Sequence, residues 1–303
     1  MNSATYLQSI LKASGWSQEE LARRLDVSFV TLNSWINDRS QPRAAAAESI
    51  RTLYFATVGS ESVSAEDLIE TTKQALACKT GILVIVEDKE VLDKLSLHLT
   101  YHTNTIEGST MTLDDTEAVL FDHKVLSNRT QVEQAEARNH QAALLWLLDG
   151  LSQKDFVMNE EVVLGLHLRL MNGILHNAGQ YRDHGVRIMG SHVAVANYLN
   201  ISTLMTELFN GTDTYSNDPV SELASVHARF EKIHPFSDGN GRVGRLIMLA
   251  QALSFGLVPP LVLKERRYAY FKYLELAQTE DNYEPLQLFV AESIIATHQL
   301  LFG

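Results

Sequence analysis

The sequence predicts a mainly all-α protein that combines an N-terminal helix-turn-helix module with a larger helical domain and one small β-hairpin. Apolar residues recur at helical spacing along most of the chain. Two capped helices follow each other closely near the start, and apolar alternation is confined to one short segment. The 303 residues, 45% hydrophobic and 20% charged, are enough for two domains with a sizeable core.

The first fifty residues form the predicted helix-turn-helix module. Ser17 and Glu20 have the spacing of a capping box, which opens a helix whose apolar positions include Leu21. After a very short connection Ser28 caps a second helix, which ends before Pro42. Two helices joined by so short a turn are the helix-turn-helix pattern.

The segment GWSQEELARRLDVS at 15–28 resembles the Cro/phage-repressor helix-turn-helix family. The resemblance implies that the start of the second helix faces the DNA major groove, with residues 17–43 as the contact region. Among the side chains expected to face the groove, Asn33 is the one suited to hydrogen bonding with base edges. Residues 1–51 carry six basic and five acidic side chains, so the module is nearly neutral. DNA is therefore one candidate partner. A docking or dimerisation role, with a second copy of the chain as partner, is the alternative.

The rest of the chain continues the helical pattern after a break of sequence GSESVSA at 59–65. Nine helices are predicted, over 66–77, 92–106, 131–148, 160–175, 202–209, 220–233, 242–255, 269–278 and 286–301. Residues 185–194 alternate apolar side chains and predict a short strand pair. We divide the chain into a helix-turn-helix module at 1–58, a linker and helical extension at 59–100, and a main domain at 101–303.

Charge and cysteine content limit the compartment and the partners. The formal charge of −12 argues against general polyanion binding. No segment approaches the roughly 20 apolar residues of a bilayer span, and the single cysteine, Cys78, cannot form an intramolecular disulfide. We expect a cytoplasmic protein that makes no membrane contact.

The densest group of reactive side chains is HPFSDGNGRVGR at 234–245, between two predicted helices. Pro235 ends the first helix, and two glycines let backbone amides turn toward the positive N-terminal end of the next. This arrangement makes an anion site suited to phosphate. Arg242 and Arg245 lie three residues apart on the second helix, so both can reach phosphate oxygens.

A carboxylate and an imidazole complete this segment. Asp238 beside a phosphate cradle suits Mg²⁺, a hard ion bound by few protein oxygens plus phosphate and water. His234 at the lip of the cradle could accept the proton of an incoming hydroxyl. A tight helix-loop-helix corner would explain any one of these residues alone. Their convergence within twelve positions indicates a site for phosphate chemistry.

The same segment closely resembles the Fic motif, HxFx(D/E)GNGRxxR, and fills its eight specified positions. The resemblance covers residues 100–300 and implies the Fic fold, a helical core with a small β-hairpin flap. It also implies transfer of AMP from ATP to a Ser, Thr or Tyr hydroxyl of a protein, with Mg²⁺ as cofactor and pyrophosphate leaving. The implied roles are general base for His234, Mg²⁺ ligand for Asp238, phosphate cradle for Gly239, Asn240, Gly241 and Arg242, γ-phosphate contact for Arg245, and core packing for Phe236.

Two more segments resemble parts of the same family. GQYR at 179–182 and VRIMG at 186–190 look like the flap, whose exposed edge pairs with a target protein. The resemblance adds six ATP contacts: Val186, Arg187, Ile188 and Met189 on the flap, and the aromatic pair Tyr270 and Phe271 beside the adenine. Gln278 is implied as a polar contact in the same place. Ordinary core packing is the alternative for the aromatic pair.

A third segment, TNTIEG at 103–108, resembles the family's inhibitory motif, (S/T)xxxE(G/N). The resemblance implies that Glu107 pairs with Arg245 and places a carboxylate where the γ-phosphate should lie. ATP would then enter with its α-phosphate misaligned for attack. Without the resemblance, Glu107 before Gly108 is the polar end of a helix.

Three functional hypotheses follow. The first is an ATP- and Mg²⁺-dependent protein adenylyltransferase that Glu107 autoinhibits, with a target protein docked on the flap. The second uses the same site in reverse, with Glu107 positioning a water that removes AMP from a modified protein. The third is a DNA-binding regulator in which the Fic domain is a sensor or a self-modifying switch.

Overall fold

The computed structural model of the protein describes residues 3–14, 16–58, 63–188, 191–210 and 218–303. Within these ranges it contains fifteen α-helices, two short 3₁₀ turns and a single isolated β-bridge, between Lys79 and Leu257. The predicted all-α fold class is confirmed. None of the described helices has both the length and the apolar composition needed to cross a bilayer.

The chain divides into two compact units. The first comprises Met1–Ser62 with Glu265–Tyr273, and the second comprises Val63–Lys264 with Leu274–Gly303. The three-part division made from the sequence stays a prediction.

The first unit contains the helix-turn-helix. Its helices are α1 (Ser3–Ser14), α2 (Gln18–Arg24), α3 (Phe29–Ile36) and α4 (Ala44–Thr57). Ser17 caps α2 by accepting the Glu20 amide at 3.2 Å, and Ser28 caps α3. Helices α1 and α4 supply core side chains that α2 and α3 alone would lack. At the start of α3, Phe29 and Val30 are 44% and 76% exposed.

The second unit contains ten helices and the second half of an eleventh. They are α5 (Ala65–Ala77), α6 (Ile82–Glu87), α7 (Lys89–Ile106), α8 (Leu113–Leu120), α9 (Gln131–Leu151), α10 (Glu160–Leu170), α11 (Ile201–Asn210), α12 (Pro219–Ile233), α13 (Asn240–Ser254), α14 (Arg267–Glu280) and α15 (Glu284–Phe302). Helix α14 begins in the first unit.

Helix α13 is the central element of the second unit. It is buried at every position from Arg242 to Leu253 and packs against α7, α9, α10 and α12. A helix that is apolar on nearly all sides belongs in a core. Its N-terminal end therefore stays fixed while the preceding loop carries the reactive side chains.

The β-hairpin predicted at 185–194 does not occur in the part of the segment that the structure describes. Residues 185–188 and 191–194 form no strand pair, and Met189 and Gly190 lie outside the described residues. Just beyond, the Ala196 amide donates to the Lys232 carbonyl at 3.2 Å, so the chain bonds to the end of α12. A two-stranded hairpin is only marginally stable without a third strand, and the described part of the chain provides none beside this segment.

Candidate active site

The loop between α12 and α13 begins and ends with left-handed backbone. Helix α12 closes at His234, which has a φ of 52° and donates its amide to the Phe230 carbonyl at 3.0 Å. Gly239, with a φ of 82°, precedes α13, and a β-carbon there would lie 2.9 Å from the sulfur of Met171. Glycine is therefore required at 239 for both conformation and space. Left-handed backbone at a histidine is the kind of strain that functional sites retain.

His234 is held in one tautomer. Its Nδ1 lies 3.2 Å from the Glu231 carbonyl oxygen, which can only accept, so Nδ1 carries the proton. The Nε2 lone pair is then available to take a proton. Burial lowers the pKa of His234 below its ordinary 6.5, and Arg182 acts in the same direction. The imidazole is accordingly neutral near pH 7, as a general base must be.

Asn240 and Phe236 fix the shape of the loop. The Asn240 side chain accepts from the Phe236 amide at 2.8 Å and donates to the Phe236 carbonyl at 2.9 Å. The sequence placed Asn240 in the phosphate cradle, but its side-chain amide is committed within the loop, so its backbone amide is the group that phosphate could use. Phe236 is fully buried, as predicted, and its ring stacks on His167 at 3.7 Å.

His167, on α10, was not identified from the sequence. Its Nδ1 accepts the Gly179 amide at 2.9 Å, so Nε2 carries the proton and donates to the Asp238 carbonyl at 3.1 Å. Burial lowers its pKa to about 4. A neutral imidazole thus joins the loop to residue 179. The sequence feature that could have indicated this role is a lone histidine within the apolar run VVLGLHLRL.

Arg182 joins the predicted flap segment to the catalytic loop. Its buried guanidinium donates to the carbonyls of His234 at 2.8 Å, His184 at 2.7 Å and Ala196 at 2.6 Å. Each carbonyl needs a donor once it leaves water. The sequence placed Arg182 in the flap but did not indicate this role.

Arg242 lies between two carboxylates. Its guanidinium is 3% exposed, with Nη1 2.7 Å from Glu136 Oε1 and Nη2 3.5 Å from Asp238 Oδ2. Asp238 is 61% exposed and accepts the Gly239 amide at 2.6 Å through Oδ1. The described residues contain no group of three metal-ligating side chains. A divalent ion at Asp238 would therefore need phosphate and water as its other ligands, which suits Mg²⁺.

Arg245 and Glu107 are brought together as the sequence predicted. Glu107 Oε1 lies 2.5 Å from Arg245 Nη2, and the Thr103 hydroxyl accepts from Arg245 Nε at 3.0 Å. The pair lies over Gly241, where a β-carbon would collide with the Glu107 carboxylate. The side chain of Glu107, the residue directly after α7, thus lies against the first turn of α13, where the anion site was predicted.

Glu231 is a buried acid one turn before His234. Its Oε1 has no hydrogen-bond partner among the described residues and rests against Gly244. Burial raises the pKa of Glu231 from its ordinary 4.5 to about 8, and Glu107 adds to the shift while Arg245 opposes it. The carboxyl is therefore mostly protonated near pH 7.

We expect Glu231→Gln to stabilise the protein increasingly as pH rises from 5 to 8. In this window the folded state keeps a proton that the unfolded state has lost, so the parent's stability falls until pH reaches about 8. Glutamine removes this penalty. The Tm difference between variant and parent should grow from near zero at pH 5 to roughly 5 °C at pH 8. Glu117→Gln, at an exposed position on α8, is the control, and an equal Tm difference at both pH values would contradict this assignment.

The residues predicted to contact the adenine and to form the flap are divided between the two units and differ in their burial. Tyr270 is buried and Phe271 is 46% exposed, with rings 5.2 Å apart, in the first unit. Gln278, in the second unit, donates to the Ala228 carbonyl at 2.9 Å. On the flap segment, Arg187 is exposed, while its neighbours Val186 and Ile188 are half-buried and Met189 lies outside the described residues. Their ATP contacts stay predictions.

Known proteins resemble the chain in both regions. The profile of the Fic/DOC family matches residues 157–252, and a helix-turn-helix profile matches residues 7–54. The protein adenylyltransferase Fic of Aedes aegypti is 30% identical over 196 residues, which cover 63% of this chain and 39% of the relative. Its counterpart in Nematostella vectensis is 31% identical over 195 residues, which cover 63% and 45%. The chain spans less than half the length of these curated relatives.

Solved structures show the same fold. Fic-1 from C. elegans superimposes with a TM-score of 0.65 at 23% identity, covering 94% of this chain and 84% of that one. A Fic-domain-containing signalling protein from Bacteroides thetaiotaomicron gives a TM-score of 0.65 at 21% identity, covering 78% and 95%.

Proposed function

Because the chain carries a Fic/DOC domain at residues 157–252, we propose that it is a protein adenylyltransferase that uses ATP to modify a Ser, Thr or Tyr hydroxyl of a target protein or of itself. The observation that carries this proposal is the neutral His234, with Nε2 free of its proton, beside the glycine-rich start of α13. The names of the curated relatives support the same reaction.

In the proposed reaction the target hydroxyl oxygen attacks the α-phosphorus of ATP. His234 Nε2 takes the hydroxyl proton, the new oxygen–phosphorus bond forms, and the bond from the α-phosphorus to pyrophosphate breaks. The start of α13 and Arg245 would bind the phosphates through backbone amides and a planar guanidinium. Mg²⁺ held by Asp238 would supply neutralising charge on these phosphates.

Autoinhibition by Glu107 is part of the proposal. Its ion pair with Arg245 uses the guanidinium assigned to the γ-phosphate, and its carboxylate would repel that phosphate. ATP could then bind only with its phosphate chain displaced from the line of attack. Release of Glu107 would restore both the charge and the space.

Removal of AMP from a modified protein is the second candidate function. The Glu107 side chain keeps 34% of its surface exposed above Gly241, so its carboxylate could orient a water for this reverse reaction. The water would attack the phosphorus of the AMP group, Glu107 would take a proton from the water, and the bond from phosphorus to the target oxygen would break. His234, protonated at Nε2 from solvent for this reaction, would give its proton to the leaving oxygen.

Partners and location are proposed from coarser observations. The helix-turn-helix match favours DNA contact through residues 17–43, whereas exposed Phe29 and Val30 on α3 favour docking or self-association. Target proteins would dock on the flap segment at 185–194. A cytoplasmic location agrees with the single cysteine of the chain.

Intact-mass spectrometry of the purified chain after incubation with ATP and Mg²⁺ tests the proposal. The expected product is the chain plus one or more AMP groups, detected most readily in the Glu107→Gly variant. The proposed activity would be overturned if neither the parent nor this variant gains AMP and neither of them labels any protein in a cell lysate supplied with α-labelled ATP.

A further inference from the structure

Glu136, on α9, lies outside every motif found in the sequence but binds the central arginine of the loop. Its Oε1 accepts from Arg242 Nη1 at 2.7 Å, and the two side chains are 19% and 3% exposed. Charge-assisted hydrogen bonds of this length are the strong ones, and here both groups are largely removed from water. The pair therefore decides where the Arg242 guanidinium points.

Arg242 is shared unequally between its two carboxylates. The Asp238 oxygen Oδ2 lies 3.5 Å from Nη2, at the limit of a hydrogen bond, whereas Glu136 holds Nη1 at 2.7 Å. Asp238 is four residues before Arg242 and exposed, so its side chain can move toward the guanidinium. Glu136 thus competes with Asp238 for one buried cation.

We propose that Glu136 is a positioning residue that holds Arg242 away from Asp238 and so keeps Asp238 available to a divalent cation. The cation role of Asp238 and the nucleotide probe used below rest on the proposed function.

Loss of Glu136 would redirect Arg242. The guanidinium would remain buried, and its Nε already has no partner among the described residues. A buried cation without its counter-ion is strongly disfavoured, so it would close on the nearest carboxylate, which is Asp238. A carboxylate engaged by a guanidinium is a poorer ligand for a metal ion.

Binding of Mn²⁺ with α,β-methylene ATP tests this, with electron paramagnetic resonance reporting free Mn²⁺. All measurements use the full chain carrying Glu107→Gly, which removes the inhibitory carboxylate. Glu136→Ala should raise the Mn²⁺ concentration for half-saturation by about tenfold, as loss of groups that orient metal ligands commonly does. Glu136→Gln keeps an acceptor oxygen for Arg242 and should give a smaller increase. Asp149→Asn removes an exposed charge from α9 and should change nothing.

A double-mutant cycle separates positioning from simple loss of charge. Arg242→Met sets a separate baseline for Mn²⁺ binding, because Arg242 is also expected to bind phosphate. Adding Glu136→Ala to Arg242→Met should cause no further change, because Asp238 then has no guanidinium to pair with. Circular dichroism verifies that each variant is folded. Equal effects of Glu136→Ala with and without Arg242, equal effects of the Ala and Gln variants, or absence of Mn²⁺ binding in the parent would each overturn the proposal. Binding without AMP transfer would contradict the proposed function alone.

Discussion

Replacing His234 with alanine is expected to lower the rate of AMP transfer by a factor on the order of 10²–10⁴. The reason is the single tautomer described above, in which Nδ1 is tied to the Glu231 carbonyl and Nε2 alone can take the proton. Initial rates of label transfer from α-labelled ATP, measured in the Glu107→Gly background, give the comparison. ATP binding and Tm should change little, since the backbone of residue 234 makes its contacts in either variant.

His184→Ala is the matched control for His234→Ala. His184 directly precedes the flap segment at 185–194, its side chain is 56% exposed, and its carbonyl, which alanine retains, accepts from Arg182 at 2.7 Å. It should keep the parental rate. Transfer at the parental rate by His234→Ala, with the fold intact, would exclude this histidine as the base.

Glu107→Gly is expected to raise AMP transfer between about 10- and 100-fold. A hydrogen bond to a charged group contributes roughly 1.5–3 kcal/mol. When Arg245 stabilises the γ-phosphate in the transition state by this amount, because it no longer pairs with Glu107, the rate rises by a factor in this range. Self-labelling of the chain at several ATP concentrations measures the effect. Equal labelling by parent and variant over the whole range would remove the inhibitory role.

Arg245→Ala provides the control for Glu107→Gly. The double variant Glu107→Gly/Arg245→Ala should lose the gain, because the freed guanidinium is what the γ-phosphate requires. A gain that persists without Arg245 would mean that Glu107 inhibits by another route. Loss of AMP release from a pre-modified target in Glu107→Gly would favour the reverse reaction.

The sequence correctly predicted helix starts that depend on residues close together along the chain. The capping serines at 17 and 28 appear in the structure as expected, and α12 begins one residue before its predicted start. Helix α6 was not predicted because ILVIVE is a short apolar run, which periodicity cannot assign to helix or strand. The alternation at 185–194 pointed to a hairpin, but strand pairing depends on neighbouring strands, and the chain just beyond the segment, at Ala196, bonds to the end of α12.

Within the candidate site, too, the sequence predicted what a short motif contains and missed what depends on packing between distant segments. The loop residues and the Glu107–Arg245 pair followed from the motifs. Glu136 and Arg182 did not, because Glu136 is 106 residues from Arg242 along the chain and Arg182 is 52 from His234. Their roles exist only once helices that are distant in sequence have packed. The motif also could not reveal that the Asn240 side chain is used inside the loop.

The most direct test of the central claim uses ATP labelled at either the α- or the γ-phosphate. Each labelled ATP is incubated with Glu107→Gly and with Glu107→Gly/His234→Ala. AMP transfer to protein predicts protein-bound label from the α-position alone, strong in the first variant and absent from the second. Label transferred from the γ-position, or α-label undiminished without His234, would contradict the account.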